Sequence, residues 1–255
     1  MARARPFAAQ PPFPAFALSD RLSTAPRPAT SALLAMHHPI GASTGYLAHA
    51  REDWAALVRR ACDVSTFAVE LSALSERELP GLVAFLAERP RLPFHFLSVH
   101  APTKGRVWPD ARLVAELAQL PPHVDAIVAH PDQIADPAAW RPLGRRLVLE
   151  NMDGRKASGQ TPEDLAALFA ELPQAGFCFD VAHAGAVDET MALGHALLDA
   201  HGGRLRHVHL SSLRRAPAGR STHVPLYRRD EARFAPVLRR CPDVPWILEA
   251  PLPRR

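Results

Sequence analysis

From Ile40 onward, short apolar runs alternate with longer segments in which apolar residues recur every three or four positions. The short runs have the length of buried strands, and the longer segments have the period of amphipathic helices. The predicted strands span residues 40–44, 67–71, 94–100, 125–130, 147–150, 177–180, 205–210 and 245–249. The predicted helices span residues 51–62, 76–88, 110–119, 138–143, 162–171, 189–201 and 229–240.

The order of these segments predicts an α/β fold, a (β/α)8 TIM barrel. Each predicted strand but the last is followed by a helix, at about 27 residues per unit, and this alternation is typical of parallel barrels. An open doubly wound sheet is the alternative, but no strand is followed by a GxGxxG or GxxxxGK turn. We expect the last outer helix to be lacking, with its groove open, filled by a partner or covered by the N-terminal arm.

Two of the predicted helices begin with the spacing of a capping box. Ser75 precedes Glu78 by three residues, and Thr161 precedes Asp164 by three. Pro162 then stands at the first helical position, where proline is favoured because its missing N–H has no partner there anyway. These signals place the starts of the second and fifth helices.

Residues 1–36 are rich in Pro, Ala and Arg and show neither a helical nor a strand period. They lack the apolar stretch of a secretory signal, and an organelle transit peptide ranks below a disordered extension. We therefore expect two parts: an N-terminal extension over 1–36, disordered or packed on the barrel, and the barrel itself over 37–255.

Composition narrows the class of protein. The chain is 47% hydrophobic and 22% charged, which suits a folded domain with a proper core. No apolar run approaches the ~20 residues needed to span a bilayer, so no membrane partner is expected. The three cysteines are widely spaced and form no CxxC pair, which indicates core residues of a cytoplasmic protein.

Lysine is the rare basic residue. Of 30 basic residues only Lys104 and Lys156 are lysines, and both fall in predicted loops after strands. A compact ammonium group at a barrel mouth suits the phosphate or carboxylate of a small substrate. We therefore predict Lys104, Lys156 and Arg220 as substrate-binding residues, with Arg155 as a further candidate. The excess of arginine itself is attributed to genome composition and to helix ends.

The predicted strand ends carry an unusual set of side chains. In TIM barrels the chemistry lies at the carboxyl ends of the strands. Loops there favour Gly, Asn, Asp and Ser, yet seven of the eight ends carry Glu, Asp or His. Such groups would repel or desolvate one another without a compensating cation. A mixed shell of this kind suits Zn²⁺, Mn²⁺ or Fe²⁺ better than Mg²⁺ or Ca²⁺. The residues are Glu70, His100, His130, Glu150, Asp180, His183, His207, His209 and Glu249.

The series HAP, HP, EN, DxxH, HL and LE at successive strand ends resembles the xylose isomerase-like barrel superfamily. That group holds sugar isomerases and epimerases together with endonuclease IV-type nucleases, the AP endonuclease family 2. The resemblance spans residues 40–250. It implies a metal quartet of Glu150, Asp180, His209 and Glu249. It also implies that Glu150 and Glu249 exchange the substrate proton and that His183 contacts the substrate.

The nuclease branch adds ligands for a cluster of up to three metal ions. The matching residues here are His100, His130, His183 and His223. The sequence departs from that branch at Ser221, where an Asp is expected, and at Thr103, where an aromatic residue is expected. It also lacks a glycine-rich GEG after His223. We therefore expect between one and three divalent ions.

Three functions remain open. A one-metal isomerase or epimerase acting on a small polyol or phosphorylated substrate ranks first, because most loops at the mouth look short. A polynuclear phosphodiester hydrolase is the alternative, because His100, His130 and His223 are superfluous for one cation. A catalytically inactive metal-binding barrel is the third. DNA ranks below a small molecule as the partner, with Trp108 and Tyr227 the aromatic candidates near the rim, and a homo-oligomer is left open.

Overall fold

The computed structural model describes residues 38–46, 51–215 and 221–251. The predicted extension over 1–36 and Arg220 lie outside the described residues. Within them, eight parallel strands close into a barrel in the order β1-β10-β7-β6-β5-β4-β3-β2, which confirms the predicted fold class. The barrel strands are β1 Ile40–Ser43, β2 Ala68–Ser72, β3 Phe96–His100, β4 Ala126–Ala129, β5 Leu147–Glu150, β6 Gly176–Asp180, β7 Leu205–Leu210 and β10 Trp246–Leu248.

Helices surround this barrel on its outer side. Each predicted helix is found, with ends that shift by up to three residues, and the predicted segment 138–143 divides into α4 and a 3-10 turn over Arg141–Arg146. No helix follows β10 in the described chain, which reaches Pro251. The helices are α1 Trp54–Cys62, α2 Leu79–Ala87, α3 Asp110–Leu117, α4 Pro137–Trp140, α5 Pro162–Glu171, α6 Val181–Val187, α7 Ala192–His201 and α8 Arg228–Leu238.

A short helix and a pair of strands near the barrel mouth were not predicted from the sequence. The short helix α6 follows β6 directly, with Asp180 as its N-cap. An antiparallel pair, β8 Ser212–Arg215 and β9 Ser221–Val224, follows β7 and pairs Leu213 with His223. Both elements lie at the carboxyl end of the barrel, so both contribute to the region where chemistry is expected.

The two predicted capping boxes have different outcomes. At α5 the box is present: the Asp164 N–H donates to Thr161 Oγ1 at 3.2 Å, and the Thr161 N–H donates to Asp164 Oδ2 at 3.2 Å. At α2 the prediction was wrong, because the helix begins at Leu79 with no side-chain cap. The Glu78 carboxylate instead accepts the Leu74 N–H and forms an ion pair with Arg51, a charged partner that outcompetes a serine cap.

The two faces of the strands have different roles. Residues that point toward the helices form the main apolar core, which includes the fully buried Phe177, Phe179, Val99 and Val208. Residues that alternate with them point into the barrel, because side chains along a strand alternate between its two faces. Among the described residues, no helix is long and apolar enough to cross a membrane.

Candidate metal centre

Four predicted ligands come together at the barrel mouth. Glu150, Asp180 and His209 end or nearly end β5, β6 and β7, and Glu249 follows β10. Ligand atoms from all four lie within 4.8 Å of one another, and all four residues are buried. His209 Nδ1 lies 3.5 Å from Glu150 Oε1 and 3.4 Å from Glu249 Oε2. The quartet that the resemblance implied is therefore assembled in one place.

A second group adjoins the quartet and shares Glu150 with it. The Nε2 atoms of His100 and His130 each lie 3.3 Å from Glu150 Oε2. Glu150 Oε1, in contrast, lies 3.2 Å from His183 Nδ1 and 3.5 Å from His209 Nδ1. The two oxygens of one carboxylate thus face different sets of imidazoles.

A third group is formed by Asp180, His183 and His223, whose ligand atoms also lie within 4.8 Å of one another. Asp180 caps α6 by accepting the His183 N–H at 2.7 Å, so the DxxH spacing places His183 beside the carboxylate. His223 is supplied by β9 of the pair that follows β7. The structure therefore brings together all eight predicted metal ligands.

Three of the imidazoles are held by a hydrogen bond at Nδ1, so that Nε2 remains for a ligand. His100 Nδ1 lies 2.9 Å from the carbonyl oxygen of Ala101, and His183 Nδ1 lies 3.0 Å from that of Asn151. His223 Nδ1 is hydrogen-bonded to Ser211 Oγ at 2.8 Å. Metal-binding histidines usually have their second nitrogen fixed in this way, which sets the tautomer and the ring orientation.

The residues present fit a divalent cation. Asp180 Oδ2 and His209 Nδ1 are buried and have no hydrogen-bond partner in the described structure. Buried polar atoms that lack partners are costly, and an ion among these oxygens and nitrogens would satisfy both. The mixture of imidazole nitrogen and carboxylate oxygen is a donor set for Zn²⁺, Mn²⁺ or Fe²⁺.

The charges of the centre are strongly interdependent. Burial raises the pKa of Glu249 to about 8 against the opposing effect of His209, with Glu150 and Glu70 adding to the rise. Burial also opposes charging of Glu150, but the neighbouring His209 and His130 outweigh it and hold the pKa of Glu150 well below its usual range. Glu150 therefore remains an anion, whereas Glu249 holds a proton at neutral pH when no cation is bound.

The predicted substrate-binding residues have three different placements. Lys156 Nζ forms an ion pair with Asp132 Oδ2 at 2.9 Å, and Asp132 Oδ1 lies 3.9 Å from His130 Nδ1. Lys156 thus adjoins the centre, although it already has a charged partner. Lys104 is exposed in the loop after β3, and Arg220 lies outside the described residues. Arg155, the further candidate, donates from Nε to Asp153 Oδ2 at 2.9 Å.

Sequence reasoning missed two supports of the centre. The ring of Tyr46, which follows β1, lies 5.4 Å from that of His223, and Glu249 is among the charges that raise its pKa, after burial. Asn151 joins the ends of β5 and β6: its Nδ2 donates to the Asp180 carbonyl, and its Oδ1 accepts the Asp180 N–H. The Glu-Asn pair at the end of β5 was a sequence signal for Asn151, whereas a single tyrosine after a strand gives no such signal.

The two aromatic candidates near the rim, Trp108 and Tyr227, contact the guanidinium groups of Arg112 and Arg229.

Comparison with protein families gives one match. The family model described as "Xylose isomerase-like TIM barrel" matches residues 120–249, which includes the whole quartet. No curated protein matches the chain.

Solved structures extend the comparison over most of the barrel. A xylose isomerase domain protein from Planctomyces limnophilus superposes with a TM-score of 0.52 at 15% identity, over 75% of this chain and 82% of that chain. A xylose isomerase-like TIM barrel protein from Mycobacterium smegmatis, solved in complex with magnesium, gives a TM-score of 0.51 at 17% identity, over 84% and 90%. At these identities the likeness extends to the fold alone.

Proposed function

Because the chain belongs to the xylose isomerase-like TIM barrel family, we propose that it is a metal-dependent enzyme whose centre holds at least two divalent cations. We propose further that it hydrolyses a phosphate ester of a small, sugar-like molecule. One observation carries this proposal: Glu150 directs Oε2 to His100 and His130, and Oε1 to His183 and His209.

Glu150 belongs to two of the ligand groups, so these residues would hold two cations near one another. A centre for a single cation would use the quartet and leave the imidazoles of His100 and His130 without a role. Two divalent cations held by these residues would supply polarisation of a phosphoryl oxygen, a nucleophile from water at neutral pH and stabilisation of the leaving oxygen. The sequence ranked an isomerase first on loop length; we place a hydrolase ahead of it because His100 and His130 adjoin Glu150.

The residues of this chain then have distinct tasks. Glu150, with its low pKa, remains charged and keeps the neighbouring imidazoles in place. Asp180 and Glu249 add negative charge on the other side of the quartet. Lys156, whose side chain is 28% exposed beside His130, is placed to attract an anionic ester to the mouth.

The substrate class is inferred from the form of the mouth. Enzymes that act on a base or an abasic site in duplex DNA need protruding loops with wedges or aromatic side chains. Here Gly159, at a φ of 85°, lets the β5–α5 loop pack closely against Pro131, because a Cβ at this position would lie 2.8 Å from the Pro131 side chain. A loop held down in this way favours a small substrate over a duplex.

An isomerase or epimerase remains the second candidate, and one observation favours it. Glu150 and Glu249 flank His209 from two sides, at 3.5 Å and 3.4 Å from its Nδ1. Two carboxylates across a cation site are the arrangement with which a proton could be removed from one carbon of a polyol and returned at the next.

One experiment separates these functions. Protein loaded with Zn²⁺ or Mn²⁺ is incubated with a chromogenic phosphodiester, a panel of sugar phosphates in D₂O, and an abasic-site DNA duplex. We expect ester hydrolysis that is lost in His130→Ala and retained in the control His195→Ala, a histidine on the outer helix α7. Deuterium incorporation without hydrolysis would favour the isomerase instead. Preferential nicking of the duplex would overturn the small-substrate class, and an inert, metal-bound protein would indicate the non-catalytic barrel.

A further inference from the structure

Below the metal centre lies a second layer of polar side chains inside the barrel. Ser98 pairs with Glu70 in the register of β2 and β3, two residues before the pair of Ser72 and His100. On the opposite side, Cys178 pairs with His207, two residues before the pair of Asp180 and His209. Glu70, Ser98, Cys178 and His207 are fully buried, so this layer has no access to solvent.

Glu70 is the charged member of this layer, and it reaches up to the quartet. Its Oε2 atom lies 3.0 Å from His209 Nε2 and accepts the Ser98 hydroxyl at 3.1 Å. An ionised carboxylate can only accept, so the proton of this hydrogen bond belongs to His209 Nε2. With that proton on Nε2, the neutral ring presents Nδ1, which faces Glu150 and Glu249, to a cation.

This arrangement differs from that of the other imidazoles in the described centre. His100 and His223 rest on neutral oxygens, a carbonyl and a hydroxyl, whereas His183 Nδ1 is hydrogen-bonded to a carbonyl and otherwise faces only the carboxylates of Glu150 and Asp180. The nearest equivalent is His130 Nδ1, which is 3.9 Å from Asp132 Oδ1 and thus beyond hydrogen-bond distance. Of these rings, His209 is the one whose second nitrogen is hydrogen-bonded to a buried carboxylate.

We propose that Glu70 is a positioning residue that fixes the tautomer of His209 and makes the quartet the tightest cation position of the centre. The carboxylate excludes the tautomer with a proton on Nδ1 and increases the basicity of that nitrogen toward a cation. Because Glu70 and His209 are fully buried, water and salt only weakly screen the attraction of the Glu70 carboxylate for a cation bound to His209. The inference rests on the proposed function only in that it requires a cation at the quartet.

The test is cation retention in Glu70→Gln, a change that preserves size and an acceptor oxygen but removes the charge. Zn²⁺-loaded protein is titrated with a chelator of known affinity, and the ions that remain per chain are counted. Loss of a carboxylate beside a metal-binding histidine costs about 10–100-fold in metal affinity. We expect the tightest ion of Glu70→Gln to leave at a chelator concentration lower by that factor.

Two matched variants control the result. Ser98→Ala removes a hydrogen bond to Glu70 but keeps its charge, so we expect a smaller loss of affinity at the same position. Asp132→Asn alters the carboxylate beside His130, so we expect it to leave the tightest ion unchanged. A second readout is the ¹⁵N spectrum of the His209 ring, in which wild type and Glu70→Asp show the proton on Nε2 and Glu70→Gln shows a mixture of tautomers.

The outcomes separate this inference from the proposed function. Retention in Glu70→Gln equal to that of wild type, with His209 in the same tautomer, would overturn the positioning role while the metal-dependent function stands. Wild-type protein that retains no divalent ion would overturn both. If Glu70→Gln fails to fold, the cation affinity of Glu70→Asp decides the question: its shorter carboxylate should lower the affinity, and an affinity equal to that of wild type in both Ser98→Ala and Glu70→Asp counts against the role.

Discussion

The two faces of the barrel strands have opposite characters, although they alternate residue by residue along the same segments. On β6, Phe177 and Phe179 face the helices and are fully buried in the apolar core. Between and after them, Cys178 and Asp180 face the interior, where polar atoms such as Asp180 Oδ2 have no hydrogen-bond partner among the described residues. The outer face stabilises the fold through apolar burial, and the inner face gathers charge at a cost in stability. Substitutions on the two faces should therefore have different effects.

The largest effect is expected from the inner face. Glu150→Gln removes the carboxylate shared by two ligand groups. We expect activity to fall by about 10³-fold, since single electrostatic contacts of this kind contribute 10²–10³-fold. The metal-free variant should also melt at a lower temperature, because the imidazoles that hold the pKa of Glu150 low lose their anionic partner. Steady-state kinetics and thermal unfolding test the two parts, and near-normal kinetics together with an unchanged melting temperature would contradict both.

On the outer face, we expect a substitution to lower stability without loss of cations. Phe177 is fully buried against the helices, and truncation of a buried aromatic residue costs about 3–5 kcal/mol. We expect Phe177→Ala to lower the free energy of unfolding by this amount while the number of cations per folded chain stays constant. Denaturant unfolding and elemental analysis provide the measurements. A stable variant that had lost its ions would show that the two faces are not separable.

The dependence of cation affinity on pH tests the inner face alone. Burial raises the pKa of Glu249 to about 8, and Asp180 and Glu150 outweigh burial to raise the pKa of His183 to about 10. Both groups must lose a proton to act as ligands, so a bound cation releases protons. Affinity should rise as the pH rises from 6.5 to 8, by up to tenfold per pH unit for each proton released. Calorimetry at several pH values measures the slope.

The matched variant for this slope is Glu249→Gln, which removes one of the protons that must leave. We expect the affinity of this variant to be lower and to change less steeply over the same range. An affinity that does not vary with pH in wild-type protein would mean that these ligands are already deprotonated in the metal-free state. The folding stability of the metal-free protein should depend on pH in the opposite direction. Because Glu249 and His183 bind protons more tightly when folded, they contribute less stability as the pH rises through 8.

Substitutions of the lysines at the rim of the barrel mouth should have a smaller effect, which is on KM. Lys156 is 28% exposed and is paired with the largely buried Asp132, whereas Lys104 is exposed. For Lys156→Met we expect an increase in KM for a phosphorylated substrate of about tenfold, since hydrogen bonds to charged groups contribute about 1.5–3 kcal/mol and part of this is already spent on Asp132. Lys104→Met should change KM by less than about threefold. Equal effects of the two variants would assign Lys104 to the substrate as well.

The smallest effect is expected far from the inner face. Thr161 caps α5 through its hydroxyl, and loss of such a cap costs about 1 kcal/mol. We expect Thr161→Ala to lower the free energy of unfolding by this amount, with no change in cation content or KM. A change in either would indicate that the outer helices influence the mouth.

The sequence predicted the barrel well because the strands obey a simple periodicity. The runs at 147–150 and 205–210 coincide with β5 and β7, since both are short, largely buried and bounded by turns. The convergence of His100, Glu150 and Asp180 followed from one rule, that parallel strands in a barrel end on the same side. Their roles as ligands or catalysts stay predictions.

The features that were missed depend on contacts between distant segments. The helix α6 is short and almost entirely buried, so its sequence has no amphipathic period to recognise. The pair of β8 and β9 follows β7 after one residue and was taken for loop, although it brings His223 to the centre. The Glu78 contact with Arg51 and the Asp132 contact with Lys156 join residues 24 or more positions apart, which no local pattern encodes.

The number of divalent ions per chain tests the central claim most directly. Elemental analysis of protein purified without chelator is compared with that of Glu150→Gln and of the double variant His100→Ala/His130→Ala. We predict two or more ions in wild type, one in the double variant, and at most one in Glu150→Gln. A single ion in wild type that persists in the double variant would contradict the shared role of Glu150 and return the centre to a one-metal enzyme.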